Sequence, residues 1–286
     1  MEYFLDMDSK FSLQESAKYV LLPVPYDGTS TFVKGADKGP QAIIDASDSI
    51  ELYDIQFDKE VYREGIYTAT PISELSSPEK MIEEVYKQVN YFIEKKKIIG
   101  LLGGEHSVSI GAIKAMSEKY SNLSVLQIDA HADLRDHYQG SPYNHACVMR
   151  RAQELAKRVV QVGIRNVCSE EKANIVEEHI FYAHTLRFRP TWMSEAVEKL
   201  TNEVYLTIDL DGLDPSILPS TGTPLPGGLG WYDFIDFLIL VFKNKKVVGF
   251  DVVELCPNPY DKSSDVLAAV LTYKILTLFS LYQQNR

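Results

Sequence analysis

The sequence predicts an α/β protein, a parallel sheet with helices on both faces. Two observations carry this. Short β-branched or apolar runs alternate along the chain with longer segments of helical period, the pattern that lays helices over parallel strands. The chemically unusual residues also recur at one kind of place: Gly103-Gly104-Glu105-His106, Asp129 to Asp133, Asp209 to Asp211 and Glu254 all follow predicted strands. In open α/β sheets the ligand crevice lies outside the carboxyl ends of the strands, so these groups should converge. No stretch rich in Pro, Gly or Ser divides the 286 residues, and 45% of them are hydrophobic, so residues 1–286 are expected to form a single domain with a large core.

The strands are read from compact runs at 19–22, 98–102, 123–128, 159–162, 180–183, 204–208 and 247–250. Between the first two lies a helix: Ser77-Pro78 supplies a cap and a first turn, and Met81, Val85, Val89 and Phe92 mark one apolar face. Further helices fit 107–120, 145–155, 170–178, 191–200, 232–242 and 264–282. No internal repeat or low-complexity tract interrupts them.

Charge and composition narrow the function. A net charge of -11 disfavours nucleic acid or an anionic membrane as partner and suits a cationic small molecule. The N-terminal segment MEYFLDMDSK lacks the basic and apolar regions of a signal peptide, and no uninterrupted apolar run is long enough to span a bilayer, so a cytoplasmic protein is expected. Three cysteines, Cys147, Cys168 and Cys256, are too few for a disulfide framework or a thiolate metal site and read as reduced thiols. His137, His179 and His184 read as surface or structural residues.

Asp129-Ala130-His131-Ala132-Asp133 sets three ligand types at alternate positions, and Asp209-Leu210-Asp211 repeats the arrangement with two carboxylates. On extended backbone, alternate side chains share one side. With His106 the set comprises four Asp and two His. Carboxylates packed together repel and take up protons, whereas two divalent cations supply the compensating charge. Oxygen-rich ligands with two imidazoles suit manganese, although zinc or nickel could compete. Phosphoryl hydrolases also use paired carboxylates and two metals, but the chain has no G-x-x-x-x-G-K-[ST] cradle.

The blocks GGEHS (103–107), DAHAD (129–133), LTIDLDGLDPS (206–216), TGTPLPGGL (221–229) and DVVELCP (251–257) resemble the signatures of the ureohydrolase family of arginases and agmatinases. PYDGTSTFVKGADKGPQAI (25–43) is similar to that family's N-terminal block, so the resemblance covers nearly the whole chain. It implies a three-layer αβα fold on an eight-stranded parallel sheet, two manganese(II) ions, and a homo-oligomer, trimer or hexamer. Residue by residue it implies that His106, Asp129, Asp133 and Asp209 hold one ion and that Asp129, His131, Asp209 and Asp211 hold the other. Asp129 and Asp209 would bridge. His145 resembles the family's proton-shuttling histidine and Glu254 the acid that grips the guanidinium.

The implied activity is hydrolysis of agmatine to putrescine and urea, with aminopropylagmatine, guanidinobutyrate or formiminoglutamate as alternative substrates, and arginase activity or a silent metal-binding oligomer further off. Arginases resemble G-x-R-D-V-D where this chain reads Gly-Ile-Arg-Asn-Val-Cys (163–168), so partners for an α-amino group are missing. Ala146 also stands where the family often has Gly. Bottom-up chemistry agrees with these roles: metals activate water, Asp133 takes its proton, Glu254 orients the planar N–H fork, and His145 protonates the leaving amine. Ser141, Tyr143 and Asn144, just before His145, are expected contacts for the substrate tail.

Overall fold

The computed structural model describes residues 3–283, leaving Met1, Glu2 and 284–286, and the parts of the N-terminal and single-domain readings that fall on them, outside the described residues. Eight strands form one sheet: β1 (Tyr19–Val24), β2 (Ile66–Thr68), β3 (Ile98–Gly103), β4 (Ser124–Ile128), β5 (Arg158–Ile164), β6 (Ile180–Tyr182), β7 (Glu203–Asp209) and β8 (Lys246–Val253). Their order is β2-β1-β3-β8-β7-β4-β5-β6, and every pairing is parallel. The helices are α1 (Gly39–Ser47), α2 (Pro78–Glu94), α3 (Ser109–Lys119), α4 (Val148–Leu155), α5 (Ala183–Leu186), α6 (Trp192–Lys199), α7 (Trp231–Asn244) and α8 (Ser263–Tyr282).

Alternation along each strand sorts the core into two layers. Leu21, Leu102, Leu126, Leu206 and Phe250 pack under α1, α6, α7 and α8, while Val20, Leu101, Val125, Tyr205 and Val253 pack under α2, α3 and α4. The result is the expected αβα sandwich. Helix α8 is long and apolar enough to cross a membrane, but most of it is buried against α1, α7 and β8, as a core helix is. In α2 the Ser77 hydroxyl accepts from Lys80 N, and Met81, Val85, Val89 and Phe92 are buried as their spacing predicts.

Four local expectations are corrected. Strand β2 was not anticipated, because three residues at a sheet edge leave little pattern, and α1 was likewise unread. The helix expected over 170–178 is a pair of short 3-10 turns, Ser169–Asn174 and Glu177–His179, because the Glu171 side chain turns inward to accept from Cys168 N and Leu134 N. Strand β8 runs three residues beyond its expected end, carrying the buried Asp251 with it, so that Glu254 follows the strand directly.

Candidate metal centre and substrate cavity

The carboxyl ends of β3, β4, β7 and β8 bring the sequence-derived ligands together. His106 Nδ1 lies 3.2 Å from Asp129 Oδ2, 3.0 Å from Asp133 Oδ2 and 3.5 Å from Asp209 Oδ2. His131 Nδ1 lies 3.0 Å from Asp211 Oδ2 and 3.6 Å from Asp129 Oδ1. Two groups can each hold an ion: His106, Asp129 and Asp209 with ligand atoms within 4.8 Å of one another, and Asp129, His131 and Asp211 likewise. Asp129 is shared by both. Asp209 falls in the first group alone at that distance, and its Oδ1 accepts from Asp211 N at 2.9 Å.

The polypeptide is shaped around this cluster. Asp133 (φ 53°) and Glu254 (φ 67°) both hold the left-handed backbone that non-glycine residues resist, a strain that functional sites concentrate. The Asp133 carbonyl accepts from Met149 N and Arg150 N at the start of α4, which pins it there. Gly212 lets the loop after β7 press onto β4, since a Cβ there would meet Asp129 N at 2.8 Å.

A polar chain behind His106 fixes its tautomer. Thr207 Oγ1 donates to Asp251 Oδ1 at 2.7 Å, and Tyr205 donates to the other Asp251 oxygen at 2.8 Å. The Thr207 oxygen must therefore accept from His106 Nε2–H, 2.8 Å away, leaving the Nδ1 lone pair facing the three aspartates. That Nδ1 is buried and makes no hydrogen bond. An orphaned imidazole lone pair amid carboxylate oxygens is what a cation would complete, so the donor set fits a pair of divalent ions.

The electrostatics agree. Burial and the charge of Asp129 push Asp133 up to about 7, and burial with the charges of Asp129 and Asp211 raises Asp209 far above the carboxylate range. Glu254 is raised by burial and by neighbouring Glu105. Burial opposes protonation of His131, but Asp211 and Asp129 push it up to about 12; His106 is raised by Asp129, Asp133 and Asp209 against the same opposition. Asp129 alone moves down, against burial, because both histidines hold its charge. Protons thus stand where cations would.

A cavity of about 240 Å³ opens over this floor, lined by His131, Asp133, Asp209, Asp211, His145 and Glu254 below and by loop residues at its rim. Glu254 Oε1 accepts from His106 N at 2.8 Å. Burial lowers His145 to about 4, so its resting imidazole is neutral at pH 7 rather than near the midpoint of its titration. Asn166 and Cys168 line the rim, as do Arg135, Tyr138 and Glu171, which sequence reasoning missed.

Ser141, Tyr143 and Asn144 do not line the cavity, which corrects that expectation. The Asn144 side chain caps the turn at His145 by accepting from Ala146 N at 3.1 Å, and the Ser141 hydroxyl accepts from Tyr143 N. Both are spent on holding the loop. His137 and His184 are exposed, Cys147 is buried, and Cys168 and Cys256 are free thiols of intermediate exposure.

Fold and site together define an αβα protein with candidate ligands for two ions at the carboxyl edge of its parallel sheet. The arginase family profile matches residues 17–277, and the chain belongs to that family. It is a ureohydrolase, a hydrolase acting on C–N bonds of linear amidines. A Synechocystis sp. protein named N(1)-aminopropylagmatine ureohydrolase is 38% identical over 99% of this chain and 95% of its own. An agmatinase from Pyrococcus horikoshii is 35% identical over 92% of each chain. The solved agmatine ureohydrolase of Thermoplasma volcanium superposes with a TM-score of 0.88, at 30% identity, over 100% of this chain and 97% of that one.

Proposed function

We propose that the chain hydrolyses the guanidine of an amine-tailed substrate, N(1)-aminopropylagmatine first and agmatine second, to the free amine and urea. One observation carries the reading: two ligand groups sharing Asp129 lie beneath a cavity whose wall presents Glu254, His145 and Glu171. The order of substrates reverses the sequence-based expectation, because the relative of 38% identity bears the aminopropylagmatine name and those of 35% and 30% the agmatine one.

His106, Asp129, Asp133 and Asp209 would hold one manganese ion, and Asp129, His131, Asp209 and Asp211 the other. Bound there, the ions would bring the pKa of a water down towards about 7 and so supply a nucleophile at neutral pH. Asp133 takes the proton of the attacking water. Glu254, with one oxygen held by His106 N, turns its carboxylate to the N–H fork of the guanidinium and fixes its orientation. His145 gives a proton to the nitrogen that leaves.

At the rim, Glu171, whose two oxygens accept from Leu134 N and Cys168 N, is the remaining carboxylate of the cavity wall and gives the tail region negative charge, while Asn166 and Cys168 offer an α-amino group no charge. Arg135 favours a second reading, a guanidino acid whose carboxylate it would meet. Its guanidinium, however, is stacked 4.4 Å from the Tyr138 ring and lies 3.4 Å from Glu170. The same family resemblance supports a trimer or hexamer, which light scattering would resolve. Urea release from each guanidine, with manganese and again after chelation, tests the reading, and full turnover by metal-free protein contradicts it.

A further inference from the structure

We propose that Thr29 is a positioning residue for His145, holding its main chain and its ring through one hydroxyl so that Nε2 alone is turned to the cavity. The inference rests on the reading of His145 as the proton donor to the leaving amine. Thr29 Oγ1 accepts from His145 N at 2.9 Å and lies 3.3 Å from His145 Nδ1. The hydroxyl also offsets part of the burial that raises the Glu105 carboxyl, the buried residue before His106. Thr29 stands 116 residues from His145, so the contact is made only by the folded chain.

The loop that delivers Thr29 is itself anchored. Gly104 N and Glu105 N donate to Val24 O and Tyr26 O at 2.8 Å, and Gly35 N donates to Asp27 Oδ2 at 2.7 Å. Gly104 is needed for that approach, because a Cβ there would meet Tyr26 O at 2.1 Å. Ser30, Thr31, Phe32 and Val33 continue the loop along the cavity wall. Tyr138, edge-on to the imidazole at 6.1 Å, closes its other side but offers no bond to fix the ring's rotation. Rotation is fixed by Thr29. With Nδ1 engaged there, Nε2 is the nitrogen that takes a proton from solvent and passes it to the amine as the C–N bond breaks, which returns the imidazole to its neutral state.

The test uses the manganese-loaded enzyme and four variants: Thr29→Val, Thr29→Ser, His145→Ala and the double variant T29V/H145A. T29V is expected to lower kcat about tenfold with KM, bound manganese and melting temperature unchanged, and T29S to restore most of the rate. The double variant should turn over as slowly as H145A and no slower. If H145A is slow but T29V keeps the wild-type rate, or if the two losses multiply, the positioning role is overturned while the reading of His145 stands. If H145A keeps the wild-type rate, the reading of His145 fails and takes this inference with it. A T29V loss of manganese or of the fold would assign Thr29 a purely structural role, and T29S, if it binds metal normally yet stays slow, would overturn the proposal independently.

Discussion

The floor and the rim of the cavity are built on opposite terms. The floor is buried, stands on strand ends, and packs aspartates against one another with an orphaned imidazole among them. Its side chains are held by the sheet. The rim is assembled from four loops, around residues 30–33, 135–138, 166–171 and 222–223, and its charged side chains have partners within reach. Arg135 has Tyr138 and Glu170, and Glu171 has two backbone N–H groups. The floor's donor set calls for cations, whereas the rim's charged groups already have partners, and on the proposed function the floor acts on the guanidine while the rim meets the tail.

Removing the shared ligand should produce the largest effect. Asp129→Ala is expected to lose both ions and on the order of 10³-fold in kcat, at least as much as deleting one transition-state donor costs. Elemental analysis checks it, with Asp211→Ala expected to lose mainly one ion. Equal losses in the two variants would break the picture of Asp129 as the shared ligand.

One step behind the ligands, Thr207→Val should leave the His106 Nε2–H and Asp251 without their mutual partner and weaken manganese binding about 10- to 100-fold. Titration of metal-free protein with manganese measures this. Unchanged affinity would show that the polar chain does not orient the imidazole.

The pH dependence of stability separates the regions without mutation. Asp133 sits near 7 in the folded protein against about 3.9 unfolded, so between those values the folded state binds the extra proton and stability falls as pH rises. His131, raised to about 12, contributes stability that is fully present below about 6.5 and is lost progressively as pH rises from there to about 12, in the same direction. Metal-free protein should therefore melt lower at pH 8 than at pH 5. Manganese must displace those protons, so the gain in Tm on adding it should widen over the same range. A constant gain would contradict protons and cations sharing one site.

The smallest effect belongs to the rim. Glu171→Gln removes the charge and one of the two oxygens that accept backbone N–H groups, and should cost amine-tailed guanidines about tenfold more in kcat/KM than butylguanidine. Equal losses on both would make Glu171 structural only.

The same division decided what the sequence disclosed. Ligands at alternate positions just past a strand announce themselves, and His106, Asp129, His131, Asp133, Asp209, Asp211, His145 and Glu254 all reach one crevice. Thr207 and Asp251 were hidden because a polar residue in a buried strand reveals its partner only across the sheet, between β7 and β8. Rim residues were hidden for a different reason. Arg135, Tyr138 and Glu171 owe their places to loop packing, and Ser141 and Asn144 looked available only because their commitments to local turns are invisible in sequence.

The central claim is that this floor and this rim together select an amine-tailed guanidine, and the kcat/KM panel is its most direct test. Urea release should be measured for N(1)-aminopropylagmatine, agmatine, 4-guanidinobutyrate and arginine under identical manganese loading. Both amine-tailed substrates are expected ahead, with arginine at least tenfold behind for want of partners to its α-amino and carboxylate groups. Arginine or 4-guanidinobutyrate ranking first would contradict it and hand the tail to Arg135.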